Sequence, residues 1–226
     1  IAANLQHVET RIAQACAQSG RARDAVRLLA VSKTFSADAV AQAHACRQTA
    51  FGENYIQEAV DKIQALRHLP LEWHCIGPIQ SNKTRLVAEH FDWVHSIDRL
   101  KIAERLSEQR PSHLAPLQVC IQVNVDGGAS KSGVPAPQAL ALAQSVAALP
   151  GLCVRGIMCI PDHAPDFIAA CAVFTRAREL FDTIRLAGLP LDTLSMGMSG
   201  DLEAAIASGS TMVRIGSAIF GERLLR

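Results

Sequence analysis

No charge of one sign dominates this chain. Across 226 residues, 22 lysines and arginines face 21 aspartates and glutamates, a formal charge of +1. That balance excludes a general pull toward nucleic acid or an anionic membrane, so only a local basic site can bind phosphate. Long apolar runs are missing too. None approaches the ~20 residues of a membrane span, and the first segment carries Glu9 and Arg11 inside an amphipathic pattern, unlike a signal peptide. There is no C-x-x-C. The seven cysteines, Cys16, Cys46, Cys75, Cys120, Cys153, Cys159 and Cys171, are odd in number, and several sit in apolar runs, as buried thiols of a reducing compartment do. The eight histidines show no H-E-x-x-H or comparable ligand spacing, and neither a G-x-S-x-G elbow nor a P-loop occurs. The expectation is a cytoplasmic protein with no metal site and no nucleic-acid or membrane partner.

What is present is a rhythm. Ile1, Leu5, Val8, Ile12 and Ala15 recur at helical spacing before Gly20, which predicts an extra N-terminal helix. Strand-like runs then follow at 26–32, 49–52, 72–76, 93–96, 117–124, 153–160, 193–196 and 212–215. Helical patterns at 36–46, 55–66, 82–89, 99–109, 137–148, 166–187 and 202–208 fill the gaps. The strands read as apolar on both faces, as parallel strands covered by helices should. Eight strand–helix units in 226 residues suit an α/β fold, a single (β/α)₈ TIM barrel over residues 1–226, with a doubly wound open sheet as the runner-up. In such a barrel the chemistry sits at the C-terminal strand ends, and the polar clusters fall there.

Lys33 closes the run Leu28-Leu29-Ala30-Val31-Ser32-Lys33, a buried strand ending in an amine. A free lysine titrates near ~10.4; apolar surroundings or nearby cations lower that value and yield the neutral amine that attacks an aldehyde. Alone, the same residue reads equally as a lysine snorkelling into solvent. Far along the chain, Thr211-Met212-Val213-Arg214-Ile215-Gly216-Ser217 is a second buried strand, ending in a Gly-Ser step at the start of a helical turn. The seventh loop, Ser195-Met196-Gly197-Met198-Ser199-Gly200-Asp201, offers a second hydroxyl in Ser199, against the bland alternative of ordinary turn chemistry. An amine at one strand end and an anion cradle at another are what a pyridoxal 5'-phosphate site needs. Arg214 shares a strand face with Met212. It faces the cofactor's pyridine nitrogen, where a cation discourages ring protonation, or it pairs with a barrel carboxylate. Asn54 and His74 are placed at the mouth, with Met198 and Ile215 as further mouth candidates, and His74 reads first as a satisfied structural residue. Lys131, in a Gly-rich loop, reads first as a solvated surface lysine.

Several stretches together resemble the pyridoxal phosphate homeostasis proteins (YggS type), single-domain relatives of the alanine racemase barrel. They are Ala30-Val31-Ser32-Lys33-Thr34, Phe51-Gly52-Glu53-Asn54-Tyr55, His74-Cys75-Ile76-Gly77-Pro78-Ile79-Gln80-Ser81-Asn82-Lys83, the seventh loop, and the ordered run from Gly209 to Gly221. The resemblance implies a (β/α)₈ barrel carrying pyridoxal phosphate as an internal aldimine (Schiff base) on Lys33. It implies phosphate contacts from Ser199, Gly216 and Ser217, Arg214 near the ring nitrogen, and Asn54 close to the cofactor. It implies a role in vitamin B6 homeostasis and amino-acid and keto-acid balance, with apo-enzymes as recipients and no secure turnover. A two-base racemase needs an acid/base group on each ring face. In the alanine racemases the second base is a tyrosine, and a partner subunit's extra β domain helps close the site. This chain has one tyrosine, Tyr55, inside a barrel motif. The expectation is therefore a carrier with no catalytic residues, and a lean to monomer. A racemase or related amino-acid enzyme is the alternative, and a barrel binding another phosphorylated metabolite is the third reading.

Overall fold

A computed structural model describes residues 1–128 and 132–222. Lys131, and the tail Arg223, Leu224, Leu225 and Arg226, lie outside the described residues. The strands are β1 (Arg27–Val31), β2 (Ala50–Glu53), β3 (Glu72–Cys75), β4 (Trp93–Ile97), β5 (Leu117–Asn124), β6 (Leu152–Met158), β7 (Thr193–Ser195) and β8 (Met212–Ile215). All pair in parallel in the order β4-β3-β2-β1-β8-β7-β6-β5, and β5 returns to pair with β4, which closes a barrel. A two-residue strand, Val134–Pro135, pairs in parallel beside the end of β5. The helices are α1 (Ala2–Gln18), α2 (Ala37–Ala45), α3 (Ile56–Ala65), α4 (Thr84–His90), α5 (Leu100–Gln109), α6 (Ala139–Ala147), α7 (Phe167–Leu186), α8 (Leu202–Ala207) and α9 (Ser217–Phe220). Among the described residues no helix is long and apolar enough to cross a membrane.

Side-chain caps open two of the helices. Ser36 Oγ accepts from Ala39 N–H at 3.3 Å and opens α2, and Asp166 Oδ1 accepts from Ala169 N–H at 2.8 Å and opens α7. α1 buries Leu5, Val8, Ile12, Ala15 and Cys16. It packs against α8 and α9, the last helices in the chain. The strand expected over 153–160 stops at Met158, and Cys159 and Ile160 run on into the loop before Pro161.

The main core lies between the strands and the helix ring and contains Leu28, Phe51, Val94, Ile121, Ile157, Leu194, Val213 and Ile215. The barrel interior departs from expectation. Its strands are buried on both faces, yet the inward face is not apolar throughout. Small clusters of Leu29, Ala50 and Met212, and of Trp93, Cys120 and Met158, share it with buried His74, His95, Ser195 and Arg214. Polar groups survive there because each finds a partner inside the barrel. β6 and β7 approach so closely that a Cβ on Gly156 would stand 1.5 Å from the Thr193 carbonyl oxygen, which leaves glycine as the residue that fits.

Candidate functional site

β1 delivers Lys33 to the mouth on a turn just past Val31, where it is half-buried. Its neighbours are held by a buried charge cluster. Lys62 Nζ donates to Ser32 O at 2.8 Å, to Glu53 Oε1 at 2.8 Å and to Glu58 Oε1 at 2.7 Å. Ser32 Oγ–H donates to Glu53 Oε1 at 2.6 Å. Thr34 sits at φ 70°, in left-handed backbone that a β-branched residue avoids, and its N–H donates to Glu58 Oε1 at 2.7 Å. The residues on both sides of Lys33 are thereby clamped. Burial pushes the Glu53 carboxyl up in pKa, and Lys62 and Ser32 work against that rise. Glu53 Oε2 is buried without a hydrogen-bond partner.

β8 pairs with β1 in the register Leu29↔Arg214 and Ala30↔Ile215, which brings the chain's last strand beside Lys33. A Cβ on Gly216 would lie 3.2 Å from Val31 O, so the turn after β8 sits tight against the end of β1. Ser217 Oγ stands 3.5 Å from Ser199 Oγ across the two loops. Gly197 takes φ +99°, and a Cβ there would meet Ala205 Cβ at 2.5 Å. Asp201 Oδ1 accepts from Met198 N–H at 2.6 Å. Arg11 of α1 donates to Ser199 O at 3.0 Å while paired with Glu203 at 2.8 Å. Phe35 stacks on Phe220 with centroids 5.1 Å apart and ties the Lys33 turn to α9. Lys33, Ser199, Gly216 and Ser217 thus gather on one rim, with Met198 exposed beside them. Ile215 does not join them: it is fully buried on the outward face of β8, within the main core.

Arg214 points into the barrel and is buried. Its Nη1 donates to Ser195 Oγ at 2.8 Å and its Nη2 to Cys159 O at 2.9 Å. Both partners are neutral, so the salt bridge to a barrel carboxylate is not the arrangement found among the described residues. Burial pushes the guanidinium pKa down. Behind Ser195 the contacts continue. Ser195 Oγ lies 2.9 Å from His95 Nδ1, His95 Nε2 lies 2.8 Å from His74 Nδ1, and His74 Nε2 lies 2.5 Å from Glu72 Oε1. Arg27 pairs with Glu72 at 2.7 Å. Trp93 stacks on His74 with centroids 5.2 Å apart and planes 11° apart. Burial lowers the pKa of both histidines, that of His95 strongly. Burial works to raise the Glu72 carboxyl, but the His74 hydrogen bond, with Arg27, holds it at about 2. His74 is therefore an interior residue and not a mouth residue. It projects below the site because it stands within β3, one residue before its end.

Asn54, after β2, lines an open cleft of about 510 Å³ together with Gly77, Ser96, Gln122 and Ile160. A Cβ on Gly77 would stand 2.8 Å from Asn54 O, so the cleft wall needs glycine there. Tyr55 follows, 55 % exposed. The mouth thus offers an amine on one side, two hydroxyls and a tight glycine turn beside it, a buried cation below, and a cleft alongside. An aldehyde, an anion and a heteroaromatic ring acceptor match those groups in kind. The sequence reading missed Glu53, Glu58, Lys62, His95 and Arg11. Glu58 and Lys62 carried a signal as an i,i+4 pair.

The family profile "Alanine racemase, N-terminal domain" matches residues 3–224. A protein of Pseudomonas aeruginosa called "Pyridoxal phosphate homeostasis protein" is 58% identical over 223 residues, which is 99% of this chain and 96% of that one. A protein of the same name from Escherichia coli K12 is 51% identical over 226 residues, 99% of this chain and 97% of that one. The solved structure of PipY from Synechococcus elongatus with PLP bound superposes with a TM-score of 0.82 at 36% identity, covering 93% of this chain and 100% of that chain.

Proposed function

This chain belongs to the alanine racemase N-terminal domain family, among its pyridoxal phosphate homeostasis proteins, and from that premise we propose that it binds pyridoxal 5'-phosphate and serves vitamin B6 homeostasis. The observation that carries the reading is the rim itself: Ser199 and Ser217 hydroxyls 3.5 Å apart, beside the strand end that bears Lys33. When bound, the cofactor supplies an aldehyde that condenses with a primary amine and a ring that withdraws electrons.

The residues fit such a group. Lys33 is the amine that holds it covalently, on a turn kept in place by Lys62, Glu53 and Glu58. Ser199, Ser217 and the Gly216 backbone hold the phosphate, and the tight approach of Gly216 to Val31 O keeps that turn clear of side chain. Arg214 has two of its five N–H groups committed inside the barrel, which leaves donors for the ring nitrogen. A permanent cation there disfavours a proton on the nitrogen and makes the ring a weak electron sink. Asn54 lines the adjoining cleft.

The reading is a carrier and not an efficient enzyme. Ser217 is exposed and Lys33 half-buried, so the rim is open to water, which permits exchange and weakens desolvation-dependent chemistry. Its further extent is a monomeric, cytoplasmic carrier that hands the cofactor to apo-enzymes. Titration with pyridoxal phosphate should give a stoichiometric absorption band in the native protein and none in Lys33→Ala. Turnover of alanine or serine at about 1 s⁻¹ or faster would overturn the carrier reading. Reactivation of an apo-enzyme in the presence of a free-cofactor trap would support handover.

A further inference from the structure

Arg214 is held from behind by side chains that reach the opposite end of the barrel: Ser195, His95, His74 and Glu72, at successive distances of 2.8, 2.9, 2.8 and 2.5 Å. With both rings neutral, as their burial favours, the Glu72 end fixes every proton along the chain. A guanidinium only donates, and a carboxylate only accepts. Glu72 therefore takes His74 Nε2–H. A neutral His74 then presents a bare Nδ1, which takes His95 Nε2–H. His95 in turn presents a bare Nδ1, which takes the Ser195 hydroxyl proton. Ser195 Oγ is left as acceptor for Arg214. Trp93, stacked on His74, fixes the ring plane, and Arg27 fixes Glu72.

We propose that Ser195, His95, His74 and Glu72 are positioning residues for Arg214: a one-directional hydrogen-bond chain through the barrel that sets the guanidinium's orientation and makes Ser195 Oγ a stronger acceptor than an isolated serine. This rests on Arg214 facing the cofactor ring. The chain explains why the barrel interior keeps two histidines and a serine where apolar side chains would fill the space, and it carries the influence of a carboxylate at one barrel end to a cation below the site at the other. Neither histidine touches the rim, so neither is a catalytic residue.

Two measurements test it. Nitrogen-15 NMR of the histidine rings in the cofactor-free protein, assigned with His74→Gln and His95→Gln, should find both rings neutral and protonated at Nε2 at pH 7. An imidazolium or an Nδ1–H tautomer at either position overturns the directional chain. In the cofactor-loaded protein, Ser195→Ala should weaken pyridoxal phosphate binding roughly three- to tenfold and shift the bound absorption band. His95→Leu should do the same, while His95→Gln, which keeps one donor and one acceptor, should retain native values. If Arg214→Ala alters the band and Ser195→Ala does not, the positioning role fails and the placement of Arg214 stands. If Arg214→Ala alters neither band nor affinity, both fail.

Discussion

Two histidines buried inside a barrel make stability fall in mild acid. His74 and His95 are fully buried, and burial lowers both pKa values below the ordinary 6.5. The unfolded chain binds protons that the native state refuses, so the stability they confer is complete above about pH 6.5 and drains as pH falls below it. Between pH 7 and pH 5 a histidine that took up no proton in the fold would cost about 2 kcal/mol, which is the ceiling for each ring. Glu72, held at about 2, loses its contribution in a lower window, from about pH 4.5 down to about 2. Glu53 and Asp92, both raised by burial, act in the opposite sense by taking protons first in the native state. A comparison cancels that background. Urea unfolding, followed by the fluorescence of the two buried tryptophans Trp73 and Trp93, should be run at pH 7 and pH 5 on the native protein and on the His74→Gln/His95→Gln double variant. The native protein should lose more than the variant across that interval, with about 4 kcal/mol as the ceiling for the two rings together. Equal losses would refute the neutral, buried assignment.

Two further perturbations address the rim. Lys62→Met leaves Glu53 buried without its ion-pair partner, at 0% side-chain exposure, and should cost about 3–5 kcal/mol in chemical denaturation, with much of that loss returned by a compensating Glu53→Gln. Gly216→Ala puts a methyl group 3.2 Å from Val31 O; on the proposed reading it should weaken cofactor binding by roughly tenfold in an equilibrium titration, with a small change in melting temperature, because the end of β1 must yield at the turn after β8.

The fold was legible because the strands are continuous apolar runs punctuated by polar ends. β5 and β8 begin and end at the residues the pattern predicts, 117–124 and 212–215. The positions of Lys33, Ser199, Gly216 and Ser217 on the rim, and of Asn54 at the adjoining cleft, were legible for the same reason: each follows a strand. The interior chain was not. Its members stand 21, 100 and 19 positions apart, and only closed-barrel register brings them together. Glu72 and His74, two apart on a short strand, share a face, which was the one local sign of it. The clamp around Lys33 was hidden similarly, since Glu53 sits in β2 and its partner Lys62 in the following helix α3, and nothing local says that a buried carboxylate will meet an amine.

The central claim is a covalent bond between pyridoxal phosphate and one particular amine. Borohydride reduction of the cofactor-loaded protein, followed by proteolysis and mass spectrometry, tests it most directly. The account predicts a single reduced pyridoxyl-phosphate adduct, on the peptide containing Lys33, and its loss in Lys33→Ala. An adduct confined to Lys62, Lys83 or another lysine, or an unmodified protein that still binds the cofactor stoichiometrically, would contradict it.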